Sequence, residues 1–434
     1  MTVAPVVRSL PAVSLELPAV HVVHQRFEVP PAIDVGAHLA REWQRLANHV
    51  APPAGARIAV AVGSRGIDSL VPAVRAIVAE LLYAGCDPFV VPAMGSHGGA
   101  TAEGQAGVLA DLGITAESVG VPVKATMETV PMGTVGGISL CLDRYAAESD
   151  GIVLVNRVKP HTDFGGPMGS GLMKMLAVGL GNEEGADRLH RQGVARDLGE
   201  VVREAATALL QRARVLFGVA LLENQQHRCC DLRIVPAAEI ERTELALQET
   251  ARRLLPGLPL DDIDLLIVDE MGKDVSGAGL DPNVIGRSLG PWQVKRERPR
   301  ITRIFVRDLT AASEGNGCGL GFVDVTTPQL VEKVDLEVTA VNAITACFPE
   351  DVRLPLTMPT DRDAVDAMLG TLRPFTTEDL RLVHIRNTLA LEHIVVSQGC
   401  LASLDGRPDV VIERRPQRLC FDENGGLVSP LSWR

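Results

Sequence analysis

The chain is short of lysine, of paired cysteines and of long apolar runs. Only six of its 42 basic residues are lysine, at 124, 159, 174, 273, 295 and 333. A lysine beside an unusual motif therefore stands out. The eight cysteines (86, 141, 229, 230, 318, 347, 400 and 420) include no CxxC pair. With no export signal at the N-terminus, that pattern reads as reduced thiols and excludes a disulfide framework or structural zinc. No uncharged run reaches the roughly 18 residues of a membrane span. A cytoplasmic location is expected. GxGxxG, GxxxxGK[ST] and HExxH are all missing, which removes sequence support for ordinary dinucleotide, P-loop and zincin sites. Gly286-Arg287-Ser288-Leu289-Gly290 matches GxSxG, but Pro291 and Trp292 do not continue it into the helix that a nucleophile elbow requires.

What is present is a chain of 434 residues, long enough for two or three domains, with a net charge of −12. That charge argues against a nucleic-acid partner or an anionic membrane, and leaves a small molecule as the expected partner. Residues 1–55 have weak periodicity and feed a helix near Val35 to His49. Thereafter strand, loop and helix alternate. Ile58–Val62 is a buried strand, and Val71–Ala84 a helix with Ser69 as candidate cap. Phe89–Val91 leads through Gly95-Ser96-His97-Gly98-Gly99 to a helix from Ala102 to Leu112 that starts at Thr101. Ile152–Val155 opens into a glycine-rich segment, followed by a helix over Asp197–Ala213 and a strand over Val215–Leu221. Such alternation predicts an α/β fold with parallel-rich sheets flanked by helices and ligands at the carboxyl ends of the strands. The Pro/Gly-rich stretch Leu255–Leu260 marks a boundary. The expected domains are 1–260, rejoined by 396–434, and 261–395, with strands at Asp264–Asp269, Ile304–Val306 and Ile394–Ser397 and helices near Val338–Cys347 and Ala364–Leu372.

Three loops that each follow a strand carry Arg65, His97 and His161, so the topology converges one cation and two imidazoles on one sheet edge. Each taken alone reads more readily as a turn residue than as a functional one. The densest segment runs from Asn156 through Lys159-Pro160-His161 to Lys174 and on to His190. Four glycines in seven residues (Gly165, Gly166, Gly169 and Gly171) let backbone approach a ligand and present amides to an anion. Lys174 is expected at a helix start, among apolar neighbours that would bury its amine and make it reactive. The alternative is a solvated lysine on a surface loop.

These motifs, in this order, resemble the nickel-pincer-nucleotide lactate racemase family. The residues concerned are Gly-Ser-His97-Gly-Gly-Ala-Thr, Lys-Pro-His161, the glycine run ending in Lys174, and His190. A looser likeness continues through Gly272-Lys273 to Asp281-Pro-Asn283 and through Gly315-Asn316 to Gly321. The resemblance implies an active site in an interdomain cleft and a pyridinium mononucleotide bearing two sulfur substituents, tethered to Lys174. Its nickel would take His190 as the protein ligand, beside the pincer's sulfurs and carbon. It implies reversible hydride transfer that racemises or epimerises a 2-hydroxy acid through a 2-keto intermediate, with His97 and His161 exchanging the roles of acid and base and Arg65 holding the carboxylate. Partners would then include the proteins that make the cofactor.

The chain departs from the family's founding pattern. The His161 to Lys174 spacing is longer, Thr162-Asp163 stands where aromatic character is expected, and the substrate-binding Gln and Lys have no clear counterpart. Lys273 or Arg287 are the candidates to replace them, and Asp163 or Phe164 to reorganise the pocket. Two alternatives stay open: an epimerase or redox isomerase of a larger polyol or sugar acid, and a nucleotide- or cofactor-binding protein without turnover.

Overall fold

A computed structural model describes residues 17–50, 52–64, 66–162, 164, 166–289, 296–413 and 415–431. The chain divides into two units, Glu28–Leu255 and a second made of Met1–Phe27 with Pro256–Arg434. In both units the sheets are parallel-rich and flanked by helices, the α/β architecture that the alternation predicts.

The unit Glu28–Leu255 is built on a five-stranded sheet, in the order Asp87–Pro92, Arg57–Val62, Gly151–Arg157, Val215–Glu223 and Cys229–Pro236. The first four strands are parallel and the last is antiparallel. Successive residues of a strand point to opposite faces. Ala59, Ala61, Phe89, Val91, Ile152 and Leu154 accordingly pack in one core, and Ile58, Val60, Val62, Val90, Val153 and Val155 in the other. Helices Leu198–Arg212 and Ile240–Leu254 cover the first face, Val35–Val50 and Leu70–Tyr83 the second. Burial on both faces is why these strands read as unbroken apolar runs rather than alternating ones. Two details depart from expectation. Ser69 sits at the helix start in a left-handed conformation and its side chain makes no cap; its hydroxyl bonds Asp68 instead. A hairpin, Thr129–Val135 with Ile138–Asp143, and the helix Ile240–Leu254 have no counterpart in the sequence reading.

The other unit holds a nine-stranded sheet. Its middle is parallel: Arg300–Leu309, Asp262–Met271 and Leu382–Ile385 lie side by side. The antiparallel strands His393–Ser397, Ala19–Gln25 and Val410–Ile412 extend it. This corrects the expected partition, in which residues 1–260 form one domain rejoined by 396–434. Ladder hydrogen bonds tie Ala19–Gln25 to His393–Ser397 and Val410–Ile412, so these strands belong to the unit that contains Asp262–Met271. Within this sheet Asp269 accepts hydrogen bonds from Arg307 (2.5 Å) and shares one with the fully buried His384 (2.8 Å). Burial raises the Asp269 carboxyl, but the hydrogen bonds from His384 and Arg307, with the Arg307 charge, outweigh it and hold the group below its ordinary value.

Candidate functional site

In the unit Glu28–Leu255, the loops at the carboxyl ends of three adjacent parallel strands carry the candidate residues. Arg57–Val62 ends at Gly63-Ser64. Asp87–Pro92 leads into Gly95–Gly99 with His97, and Gly151–Arg157 into Lys159-Pro160-His161. Arg65, Asp163 and Gly165 lie outside the described residues.

The first pair is Ser64 and His97, whose Oγ and Nδ1 are 2.6 Å apart. The His97 loop depends on its glycines: Gly98, at φ +66, would place a Cβ 2.5 Å from the Gln105 backbone nitrogen. Gly95, at φ +63, has its amide bonded to Gly179 O and its carbonyl to the buried Gln105 side chain. Thr101 caps the following helix through the Gly104 amide at 3.0 Å, as the sequence predicts.

The second pair is His161 and Lys174. The His161 Nε2 and the Lys174 amine lie 2.5 Å apart, and Phe164 stacks on the imidazole at 4.0 Å between ring centroids. Lys174 is half-buried in the turn Leu172–Lys174, a helix start as expected. Directly after it the chain makes a π-helical turn, Met175–Gly179, and then the helix Asn182–Gly193, which carries half-buried His190 in its last turn. π turns inserted between helical segments recur at functional sites. The bond from Gly95 N to Gly179 O ties the His97 loop to this turn, linking the two pairs.

Two glycines of the run have a packing role in addition to the ligand approach that their spacing suggests. A Cβ on Gly169 would sit 2.4 Å from the Gln248 amide and 2.5 Å from Lys159 O; on Gly171 it would sit 2.5 Å from the Glu244 carboxyl. Both face into the protein, against two buried polar side chains of helix Ile240–Leu254. Gly166, at φ +78, has nothing within 4 Å of where a Cβ would sit, and its carbonyl accepts from Arg252. Asn156 completes the loop's anchorage by donating to Gly171 O at 2.9 Å. Burial pushes the Glu244 carboxyl up to about 7, although the Met173 and Leu172 amides pull it down. Ser64, Glu244 and Gln248 were not singled out from sequence. The signal for the last two, a polar pair four residues apart on one helix face, depends on first recognising that helix.

Lys273 and Arg287 belong to the other unit. The Lys273 ammonium donates to Gly277 O at 2.7 Å, and its backbone amide to Ser313. The Arg287 guanidinium donates to Phe322 O (2.6 Å), Thr302 O (3.0 Å) and Asp324 (2.6 Å). The Lys273 ammonium closes its own loop, whereas Arg287 ties its loop to Thr302 and to the segment Phe322–Asp324. The GxSxG segment containing Arg287 follows the short helix Pro282–Ile285, and its last residue, Gly290, lies outside the described residues. Asn316 donates to Asn342 and accepts from Cys318 N, a turn-forming arrangement.

Among the described residues, no group of three or more His, Cys, Asp or Glu could hold a metal ion, and no helix is long and apolar enough to cross a membrane. The cysteines are free thiols.

No protein-family profile matches the chain, and no curated protein matches its sequence. Among solved structures the chain is similar to the lactate racemase apoprotein from Thermoanaerobacterium thermosaccharolyticum. The alignment covers 83% of this chain and 82% of that one, at 12% identity and a TM-score of 0.46. A likeness this distant assigns no residue a role, and the chemistry rests on the site itself.

Proposed function

We propose that this chain is an isomerase, a racemase or epimerase of 2-hydroxy acids, that works with a nickel-pincer nucleotide tethered to Lys174. The observation that carries the reading is the contact of the Lys174 amine with the His161 imidazole, in a loop packed to hold both. An amine attacks only as the free base, and a neighbouring imidazole can accept the proton that it sheds on attack. The donor set suits the group as well. His190 is a single imidazole, appropriate for a metal that receives its remaining ligands from the nucleotide.

When bound, the group supplies a reversible hydride acceptor. The chain's own residues do the rest. His97 and His161 take and return the proton of the substrate hydroxyl from the two sides of the carbinol carbon. Ser64 fixes the ring plane of His97 through Nδ1, and Phe164 fixes that of His161 by stacking. Arg65 supplies the carboxylate clamp.

The test is intact-protein mass spectrometry with nickel analysis, on protein produced alongside the cofactor's biosynthetic enzymes. One adduct at Lys174 with about one nickel per chain is expected, and Lys174→Ala should carry neither while keeping its fold. A wild-type chain with no adduct, under conditions where a lactate racemase loads, sinks the reading. An adduct whose chain is indifferent to loss of His97 and His161 would instead mark a binding protein without turnover.

A further inference from the structure

Helix Ile240–Leu254 turns two buried polar side chains onto the segment that precedes Lys174. Gln248 Nε2 donates to Ser170 O at 2.9 Å, and Glu244 Oε2 accepts from the Met173 amide at 3.0 Å. Glu244 is 1% exposed, and its other oxygen, Oε1, has no hydrogen-bond partner. The first amides of a helical turn need acceptors, ordinarily from the side chain at the N-cap. Here the N-cap is Gly171, which has none to offer. Its φ of 175° is extended backbone that any residue adopts, so conformation does not demand glycine. What bars a side chain is Glu244, whose carboxyl a Cβ would meet at 2.5 Å. The glycine makes room for a carboxylate delivered from another helix.

We propose that Glu244 is a positioning residue for Lys174: its carboxylate caps the turn Leu172–Lys174 in place of the absent N-cap side chain and so holds the amine against His161. The inference rests on the reading of Lys174 as the reactive amine. It gives a role to an acidic side chain buried beside Leu172 and Met173, where an apolar side chain would avoid the desolvation of a polar group.

The experiment is an NMR titration of the histidine ring protons in the full chain. An ammonium beside an imidazole lowers the imidazole pKa, so Lys174→Met defines the rise seen at His161 when that cation is removed. Glu244→Leu is expected to reproduce most of this rise, roughly half a pH unit or more, with the other histidines unmoved. Glu244→Gln, which keeps an acceptor oxygen, is expected to stay near wild type. Gly171→Ala, which crowds Glu244 without removing it, is expected to give the same rise as Glu244→Leu. Loss of a nearby negative charge alone would lower the His161 pKa, the opposite sign. An unchanged or lowered value in folded Glu244→Leu therefore overturns the proposal; if that variant does not fold, Gly171→Ala decides by the same two outcomes. The readout needs no cofactor. A chain that shows the His161 shift but never acquires an adduct would keep the positioning role and lose the cofactor reading, and the converse result would do the reverse.

Discussion

Ser64 Oγ and His97 Nδ1 lie 2.6 Å apart, a hydrogen bond between the loops that follow two neighbouring parallel strands. The bond commits Nδ1 of the ring to the protein. It also gives His97 a fixed ring plane in a loop whose glycines alone would not hold one.

Ser64→Ala should therefore lower kcat by about tenfold with KM little changed, because substrate contacts survive while the proton-transfer geometry loosens. His97→Gln and His161→Gln should each lower kcat by roughly 10²–10⁴-fold. Steady-state kinetics of the loaded enzyme checks this, and a Ser64→Ala effect confined to KM would count against an orienting role.

Gly169→Ala should destabilise the unit Glu28–Leu255 by about 1–3 kcal/mol, as overpacking does. Its Cβ has nowhere to go between Gln248 and Lys159 O. Gly166→Ala meets no atom within 4 Å but carries the strain of φ +78, which costs about 1 kcal/mol. Urea denaturation measures both. Equal loss of stability in the two variants would contradict the inward packing of Gly169.

The Asp143 carboxyl is buried, caps the turn Arg144–Ala147 through the Ala146 amide and accepts from Asn182. Burial pushes it up to about 6, above its value in an unfolded chain. The native state thus holds the proton more tightly than the unfolded state. The associated stability is complete below about pH 4 and is lost as pH rises through about 6. Asp143→Asn, which keeps a capping side chain, should flatten this part of the profile by roughly 2–3 kcal/mol. Glu244, also raised, would leave a residual slope of the same sign up to about pH 7. Denaturation midpoints from pH 4 to 7 decide the matter, and a variant with the wild-type slope refutes the assignment to Asp143.

Arg287 ties the loop after Pro282–Ile285 to Phe322 O, Thr302 O and Asp324. Arg287→Ala should cost about 1.5–3 kcal/mol of stability, the range for hydrogen bonds to charged groups. If the guanidinium is wholly structural, KM measured on the folded fraction will not move. A large rise in KM at undiminished stability would restore it as a substrate ligand.

The architecture of the unit Glu28–Leu255 was largely legible because its strands are buried on both faces and its helices are separated by glycine-rich loops. Thr101 and the helix start at Lys174 were read at the residue. The pairing of Ala19–Gln25 with His393–Ser397 was not, since antiparallel contacts between chain ends leave no local pattern. The helix Ile240–Leu254 was missed because charged residues occupy much of it and Glu244 and Gln248 stand at buried positions where apolar residues are expected. That omission concealed the reason for two glycines, which looked like ligand contacts because tight packing and ligand approach both require a missing Cβ.

The division of the chain has a bearing on how the protein is made. Residues 28–255 are an insertion between one strand of the nine-stranded sheet and the remainder of that sheet. Ala19–Gln25 leaves the ribosome hundreds of residues before its ladder partners, His393–Ser397 and Val410–Ile412. The inserted unit has all its strands in one continuous stretch and can complete its sheet during translation. The outer unit must wait for its C-terminal strands and close a loop hundreds of residues long. That closure carries only a slowly growing entropic cost when the intervening chain has already folded into a compact body. Synthesis order thus assembles the candidate site before the sheet that encloses it in sequence.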